Sequence, residues 1–213
     1  MLPNRYATMA IDFKFHLRQA LGRLRRVMYP VPIPMQSRRR LHLGCGGINH
    51  PGFTNVDGIA RPHVHYVQSI VRLKRFDSGS FDFVYTSHTL EHFPRSSTAS
   101  ILTEWHRILT PGGRLAISVP DFDKILEIYR ISDGNVDDIL PPLFGGQDYP
   151  FNYHFTTFNR TSLQALLLGV GFSRVETWCA GQDELHNLPD WSGRSIVVSG
   201  HKVPISLNLE AIK

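Results

Sequence analysis

Gly44-Cys45-Gly46-Gly47 follows a short strand-like run, Arg40 to Leu43, with no spacer between them. Missing side chains at such a turn let a ligand come close to the main chain. Ten positions after Gly47 stands Asp57, at the end of the strand-like Phe53-Thr54-Asn55-Val56. A carboxylate placed there can accept hydrogen bonds from both hydroxyls of a ribose. A dinucleotide fingerprint would put its third glycine where Asn49 sits, and would open a full helix before an acidic residue roughly 20 places on. Pro51-Gly52 makes that helix short or absent, which removes the helix N-terminus on which a pyrophosphate rests. The glycine turn and Asp57 together therefore favour a nucleoside ligand without phosphates over NAD or FAD.

Histidines form the second reactive set. His88-Thr89-Leu90-Glu91-His92 has the His-x-x-Glu-His order of inverted zinc peptidases. That chemistry needs both histidines on one face of a long helix and a further ligand from a distant one. Here a strand precedes the motif and Pro94 follows two residues later, so a long helix has no room. Cys45 and Cys179 are the only cysteines, which excludes a Cys-x-x-Cys knuckle and a dense disulfide framework and fits a reducing, intracellular setting. No metal ligand is assigned. His63 and His65 alternate along a predicted short strand and read as surface residues. No Gly-x-Ser-x-Gly occurs, so a hydrolase with the usual nucleophile elbow is also excluded.

These residues need elements to hold them. Phe81 to Thr86 reads as a buried strand after the turn Asp77-Ser78-Gly79-Ser80. Ser96 to Leu109 carries Ile101, Leu102, Trp105, Ile108 and Leu109 on one helical face, and Thr110-Pro111-Gly112-Gly113 breaks it. Arg114 to Val119 is a further strand, and Asp121 can cap a helix bearing Ile125, Leu126, Ile128 and Tyr129. Strands alternating with helices imply a parallel sheet whose ligands gather beyond the carboxyl ends of the strands. Gly44 to Gly47, Asp57, Ser87 to His92 and Asp121 all fall at such ends.

Leu-His-Leu-Gly-Cys-Gly-Gly at 41–47, Asn-Val-Asp at 55–57, Ser-Phe-Asp-Phe-Val-Tyr-Thr-Ser-His-Thr-Leu-Glu-His-Phe at 80–93 and Leu-Thr-Pro-Gly-Gly-Arg-Leu at 109–115 resemble the class I S-adenosylmethionine-dependent methyltransferases. The resemblance is nearest to the group with a Ser-His-x-Leu-Glu-His signature, often found among bacterial surface-polysaccharide genes. It runs from about residue 40 to 200, with Thr161 to Phe172 as the late helix and its Gly-Phe turn, and Arg174–Thr177 and Ser195–Ser199 as the final antiparallel strands.

The resemblance implies a Rossmann-like α/β fold: a seven-stranded, mostly parallel sheet with an antiparallel last strand and helices on both faces. It implies S-adenosyl-L-methionine as cofactor, with Gly44, Cys45, Gly46 and Gly47 around the methionine part and Asp57 on the ribose. Ser87 and His88 would lie near the sulfonium. Three positions depart from the family. His42 stands where an acidic residue is common, Ile48 replaces a third alternate glycine, and Gln68-Ser69 replaces the acidic residue on the adenine side, leaving main-chain groups near Ser69 and Ile70 to hold the adenine. The implied reaction is O-methylation of a carbohydrate or small-molecule hydroxyl. Such a reaction gains from a base with near-neutral pKa, for which His154 is the first candidate and His88 the second, with His92 beside them. His154 lies in the aromatic, glycine-rich insert Leu140 to Asn159, which suits a substrate lid. A degenerate, non-catalytic binding module of the same fold is the alternative.

With 213 residues, 42% of them hydrophobic, the chain can bury one sizeable core. The net charge of +5 is not spread evenly: residues 1–40 hold nine Lys or Arg against Asp12 alone, leaving 14 basic and 17 acidic residues, or −3, for the rest. A nucleic-acid partner is therefore not expected, since phosphate binding needs positive charge clustered on the binding fold itself. Ile11, Phe15, Leu17, Leu21, Leu24 and Met28, interleaved with Lys14, Arg18, Arg23, Arg25 and Arg26, predict a basic amphipathic helix over residues 11–28, ending at Pro30, Pro32 and Pro34. The chain thus divides into residues 1–37, helix and proline-rich linker, and the methyltransferase-like domain at 38–213. The helix either packs on that domain or meets an anionic membrane or another protein. A cytoplasmic protein, peripheral at the inner membrane surface, is the expected location.

Overall fold

Residue 17, residues 19–37 and residues 39–213 are described by the computed structural model. The calls on Ile11, Lys14, Phe15 and Arg18 lie outside the described residues; residues 19–28 are helical (α1) and Pro30 ends the helix. Four parallel strands follow: β1 (Arg40–Leu43), β2 (Thr54–Asp57), β3 (Tyr66–Val67) and β4 (Phe81–Ser87). Then come α2 (Arg95–Ile108), β5 (Leu109–Pro120), α3 (Phe122–Ile131), α4 (Leu140–Phe144), α5 (Arg160–Val170) and β6 (Arg174–Thr177). A hairpin, β7 (Ser195–Val198) and β8 (His201–Pro204), precedes β9 (Ser206–Ile212). The sheet order is β3-β2-β1-β4-β5-β9-β6, with β9 antiparallel to both neighbours.

Each strand sends alternate residues to opposite faces. Leu41, Leu43, Val84, Leu115 and Ile117 point into the larger core, where α2 supplies Ile101, Leu102, Trp105 and Ile108 and α5 supplies Leu163 and Leu167. Phe83, Tyr85 and Ala116 point the other way, onto Phe53, Trp178 and Leu188. That second face is covered by residues 178–193, which carry two 3-10 turns, Glu184–His186 and Trp191–Gly193. No helix lies between β1 and β2, as Pro51-Gly52 led us to expect. The helices that do form are well terminated. Asp121 accepts the Asp123 amide at the start of α3, Asn159 and Ser162 form a reciprocal capping box on α5, and Gly171 closes α5 at φ 117°.

Three local expectations are corrected. Ser195–Ser199 is not a strand of the main sheet: Ser199 and Gly200 both have positive φ, 48° and 79°, and turn the chain back as a hairpin, leaving β9 to enter the sheet. The strand expected from Arg114 starts at Leu109: Thr110 to Gly113, which lies beyond the end of α2 as expected, bulges within β5, since Phe81 pairs with Leu109 while Phe83 pairs with Arg114. His63 and His65 precede β3, because pairing with β2 starts only at Tyr66. Their rings instead brace the loop: His63 Nε2 lies 3.1 Å from the Gly46 carbonyl, and His65 Nδ1 accepts the Asn55 amide at 2.8 Å.

Helix α1 lies against the domain by its less apolar side. Gln19 donates to the Gly58 carbonyl at 2.8 Å, Arg26 donates to the Arg61 carbonyl at 2.8 Å, and Gly22 approaches Ala60 so closely that a Cβ would sit 2.3 Å from the alanine methyl. Leu17, Leu21, Leu24 and Met28 form a stripe on the opposite side and are exposed. Among the described residues no helix is long and apolar enough to cross a membrane.

Candidate active site

One cavity of about 760 Å³ opens beyond the carboxyl ends of β1 to β5. Gly44, Cys45, Gly46, Gly47, Asp57, Ser69, Ile70, Ser87, His88, His92 and His154 all line it. The cavity thus brings together the candidate cofactor-binding and catalytic residues named from sequence, whereas Asp121 lies outside it.

On the β1–β3 side the wall is largely main chain. Gly44 turns at φ 66° and a Cβ there would lie 2.5 Å from Thr89 Oγ1, so both conformation and space require glycine. Gly46 and Gly47 meet nothing within 4 Å at the Cβ position, leaving their backbone bare. Asp57 braces this turn: one carboxylate oxygen accepts the Gly46 amide at 2.8 Å and the other accepts the Ile59 amide at 2.7 Å. Each oxygen keeps a second lone pair for an outside donor. The Cys45 side chain is buried, and burial raises its thiol pKa, so it is inert packing against Val64 and Val67.

Two polar atoms of this wall have no partner among the described residues. Gln68 Nε2 and His42 Nδ1 are buried and unpaired, although their residues line the cavity. Native buried polar atoms are nearly always bonded, so these two mark where a polar ligand fits. His42 packs edge-on against Phe53 and Tyr85, and burial holds its pKa down at about 3, so it is neutral. The Ile70 carbonyl is already taken by Trp105 Nε1 at 2.9 Å, and Ser69 Oγ accepts the Val71 amide at 3.3 Å. Bare glycine backbone, a carboxylate with spare lone pairs and unpaired amide and imidazole groups suit S-adenosylmethionine, with its ribose diol, adenine and amino-acid ends.

On the β4–β5 side the lining is imidazole and indole. His88 follows β4 at φ 49°, a left-handed conformation that a residue with a side chain adopts at a cost. Its Nε2 lies 2.8 Å from Ser206 Oγ and its Nδ1 3.6 Å from Glu91 Oε1. Glu91 sits in the single 3-10 turn Leu90–His92, fully buried, with no side-chain donor to its carboxyl group among the described residues and only the Thr89 and Glu91 main-chain amides turned toward it. Burial pushes its pKa up to about 8. Burial likewise lowers His88 to about 3, His154 to about 4 with help from His92, and His92 itself, so all three rings are neutral near pH 7.

The insert is clamped onto this turn. The Phe155 amide donates to the Glu91 carbonyl at 2.8 Å, His92 Nδ1 lies 3.1 Å from the Tyr153 carbonyl, and the His92 and His154 rings meet edge-on at 4.8 Å. Beside them Trp191, 44% exposed, lies 6.2 Å from the His88 ring with the Arg194 guanidinium over its face at 4.8 Å. Because Leu90–His92 is one short turn after a left-handed residue, His88 and His92 cannot share a helix face, and the peptidase helix does not form.

Sequence reasoning passed over Glu91 as a site residue, although an acidic residue inside Thr-Leu-Glu-His-Phe, between apolar neighbours, was the available signal. Trp191, Arg194 and Gln19 also line the cavity, and nothing in their local sequence announces it.

Residues 49–117 match the family model described as a methyltransferase domain, a stretch that begins just after the glycine turn and includes Asp57 and the Ser87–His92 segment. The fold is similar to that of a S-adenosylmethionine-dependent methyltransferase from Thermotoga maritima, with 19% identity, 98% of this chain and 97% of that one covered, and a TM-score of 0.50. It is also similar to a methyltransferase of the same dependence from Archaeoglobus fulgidus, with 18% identity, coverage of 99% and 100%, and a TM-score of 0.51. No curated protein matches the chain. The family match over residues 49–117 points to a methyltransferase domain, and the likeness to these structures shows a Rossmann-like fold.

Proposed function

We propose that the chain methylates a hydroxyl of a carbohydrate or another small molecule, as an enzyme of the Ser-His-x-Leu-Glu-His group that serves polysaccharide synthesis. The observation that carries this reading is the sharing of one cavity by the glycine turn with Asp57 and by a cluster of neutral imidazoles. Gly44 to Gly47 would receive the methionine part, Asp57 the ribose, Gln68, Ser69 and Ile70 the adenine, and Ser87 and His88 the neighbourhood of the sulfonium. Trp191 supports a sugar acceptor, because an indole face with polar neighbours offers an apolar platform next to hydrogen-bonding groups.

The bound donor supplies a methyl carbon, to which the acceptor oxygen bonds as the carbon–sulfur bond breaks and its electron pair passes to sulfur. Most of the rate comes from holding the two reactants in line. The hydroxyl proton goes to an imidazole. His154 is the assigned acceptor: its Nδ1 lies 3.0 Å from the Pro142 carbonyl, which fixes the proton there and leaves Nε2 with a lone pair. His88 is the second candidate, and His92 supports His154 by ring contact.

The test is methyl transfer from labelled donor to a panel of nucleotide sugars, free sugars and amines. Label recovered in an alkali-stable ether of a sugar is the expected result. Label in an amine would overturn the hydroxyl reading, and donor binding without transfer to any acceptor would favour the non-catalytic module.

The exposed stripe Leu17, Leu21, Leu24 and Met28, with Arg23 and Arg25 on the same helix, favours a peripheral location on an anionic cytoplasmic membrane surface. Co-sedimentation with phosphatidylglycerol vesicles but not phosphatidylcholine vesicles is expected. Equal behaviour of wild type and Leu21→Glu/Leu24→Glu would remove the stripe from that role.

A further inference from the structure

Beside the cavity, a buried carboxyl group and imidazole nitrogens face one another. Glu91 is fully buried, and among the described residues no side chain donates to its carboxyl group; only the main-chain amides of Thr89 and of Glu91 itself turn toward it. His154 Nε2 lies 3.9 Å from Glu91 Oε1, and His88 Nδ1 lies 3.6 Å from the same oxygen. The opposite nitrogens of the two insert-side rings are occupied. His154 Nδ1 lies 3.0 Å from the Pro142 carbonyl and His92 Nδ1 lies 3.1 Å from the Tyr153 carbonyl. A carbonyl only accepts, so in His154 Nδ1 carries the proton and Nε2 is left with a lone pair, while the His92 ring has the carbonyls of both Tyr153 and His88 beside it. One ligating atom from each of Glu91, His92 and His154 falls within 4.8 Å of the other two.

A dry carboxylate beside imidazole lone pairs is ionised only at a cost unless a positive centre sits among them; without one it stays a neutral acid. An imidazole whose Nδ1–H is tied to a main-chain carbonyl has the outer-shell bond typical of a metal-ligating histidine, with ring orientation and tautomer already set. Two imidazoles and one carboxylate make a three-ligand set that suits a borderline divalent ion and leaves coordination positions open.

We propose that Glu91, His92 and His154 hold a divalent first-row transition metal ion, with zinc as the probe, whose open positions face the cavity on its β4–β5 side. The ligands differ from those of the peptidase pattern, since His88 is replaced by His154 from the insert. The site joins the 3-10 turn after β4 to the insert, so the ion would also pin the insert over the cavity. Binding of the ion does not depend on the methyltransferase reading; only its use does, as a Lewis acid that draws in the acceptor oxygen and eases loss of its proton. With the ion bound His154 is a ligand and not the proton acceptor, so its two assignments are alternatives that one experiment separates.

The experiment is zinc titration by calorimetry, with metal content by mass spectrometry, on the untagged full chain stripped with chelator, its Glu91→Gln variant and its His92→Asn variant. S-adenosylhomocysteine binding is measured on the same samples. One saturable equivalent of zinc on wild type, weakened about tenfold or more in each variant, is expected, with S-adenosylhomocysteine affinity within a factor of about three throughout. His92 is less buried than Glu91, so the second variant serves if Glu91→Gln fails to fold. No saturable zinc on wild type, or equal zinc on wild type and variants, overturns the site and leaves His154 as proton acceptor. Loss of S-adenosylhomocysteine binding by wild type would instead count against the donor pocket and leave the metal result standing.

Discussion

The Asp57 carboxylate accepts the main-chain amide of Gly46 at 2.8 Å, across the turn that the absent side chains leave bare. The acidic residue at the end of β2 thus shapes the glycine turn as well as facing the cavity. Removing it should act twice, through a lost ligand contact and through a looser turn. We expect Asp57→Ala to weaken S-adenosylmethionine binding by tenfold or more, in line with about 1.5–3 kcal/mol for a charged hydrogen bond. Asp57→Asn, which keeps one acceptor oxygen, should fall between. Calorimetry giving equal affinities for all three proteins would contradict this.

Gly44 and Gly46 should respond differently to alanine. At Gly44 the new Cβ meets Thr89 and the φ of 66° remains unfavourable, so a loss of about 2–3 kcal/mol in stability is expected. Gly46→Ala meets no atom within 4 Å and carries only the backbone penalty at φ 53°, about 1 kcal/mol. Adding Thr89→Ala should recover part of the Gly44→Ala loss and none of the Gly46→Ala loss. Urea denaturation of the five proteins and wild type measures this.

His186 bridges two carboxylates, with Nδ1 2.8 Å from Asp183 and Nε2 3.0 Å from Glu210. Burial opposes its charge, but bonds to Glu210 and Asp183 outweigh that and raise its pKa. Burial pushes Glu210 up, yet the His186 bond and the Arg114 charge leave it lowered. Stability from His186 is therefore full below its unfolded pKa of about 6.5 and lost as pH climbs through the raised folded value. Stability from Glu210 is full above about pH 4.5 and lost as pH falls through its lowered value. Both act together between about pH 4.5 and 6.5. His186→Gln should cost about 3–5 kcal/mol at pH 6, the range for breaking a buried ion pair, and clearly less at pH 9. Thermal unfolding with an equal gap at both values would refute the linkage.

Trp191→Ala should raise the acceptor KM about tenfold, the upper range for an aromatic stacking contact, while S-adenosylhomocysteine affinity stays unchanged. A parallel loss of cofactor affinity would place the indole on the donor and not on the acceptor.

The parallel half of the sheet was legible from sequence because β1, β2, β4 and the inner part of β5 are short strand-like runs that end at Gly44, Asp57, Ser87-His88 and Pro120-Asp121. The sheet's last strand was not, because Ser195–Val198 has the same apolar character as Ser206–Ile212, and only the positive φ at Ser199 and Gly200 diverts the former into a hairpin. Gly44 and Asp57 could be singled out through spacing, which reflects local chain geometry, and His88 through the family resemblance. Glu91 escaped notice because its significance is its isolation: the Phe155 amide and the His154 ring arrive from more than 60 positions away. Trp191 and Arg194 reach the cavity through the same kind of long return, which no periodicity encodes.

Residues 178–193 cover the second face of the sheet with Trp178 and Leu188 and then supply Pro189, Asp190 and Trp191 to the cavity rim. Tyr85, within that packed layer, donates its hydroxyl proton to Asp190 at 2.8 Å. Structural filler and recognition surface are therefore one continuous ribbon. A molecule resting on the indole would slow amide hydrogen exchange deep in the interior around Trp178, and a cavity carved at Leu188 would be felt as altered selectivity at the entrance.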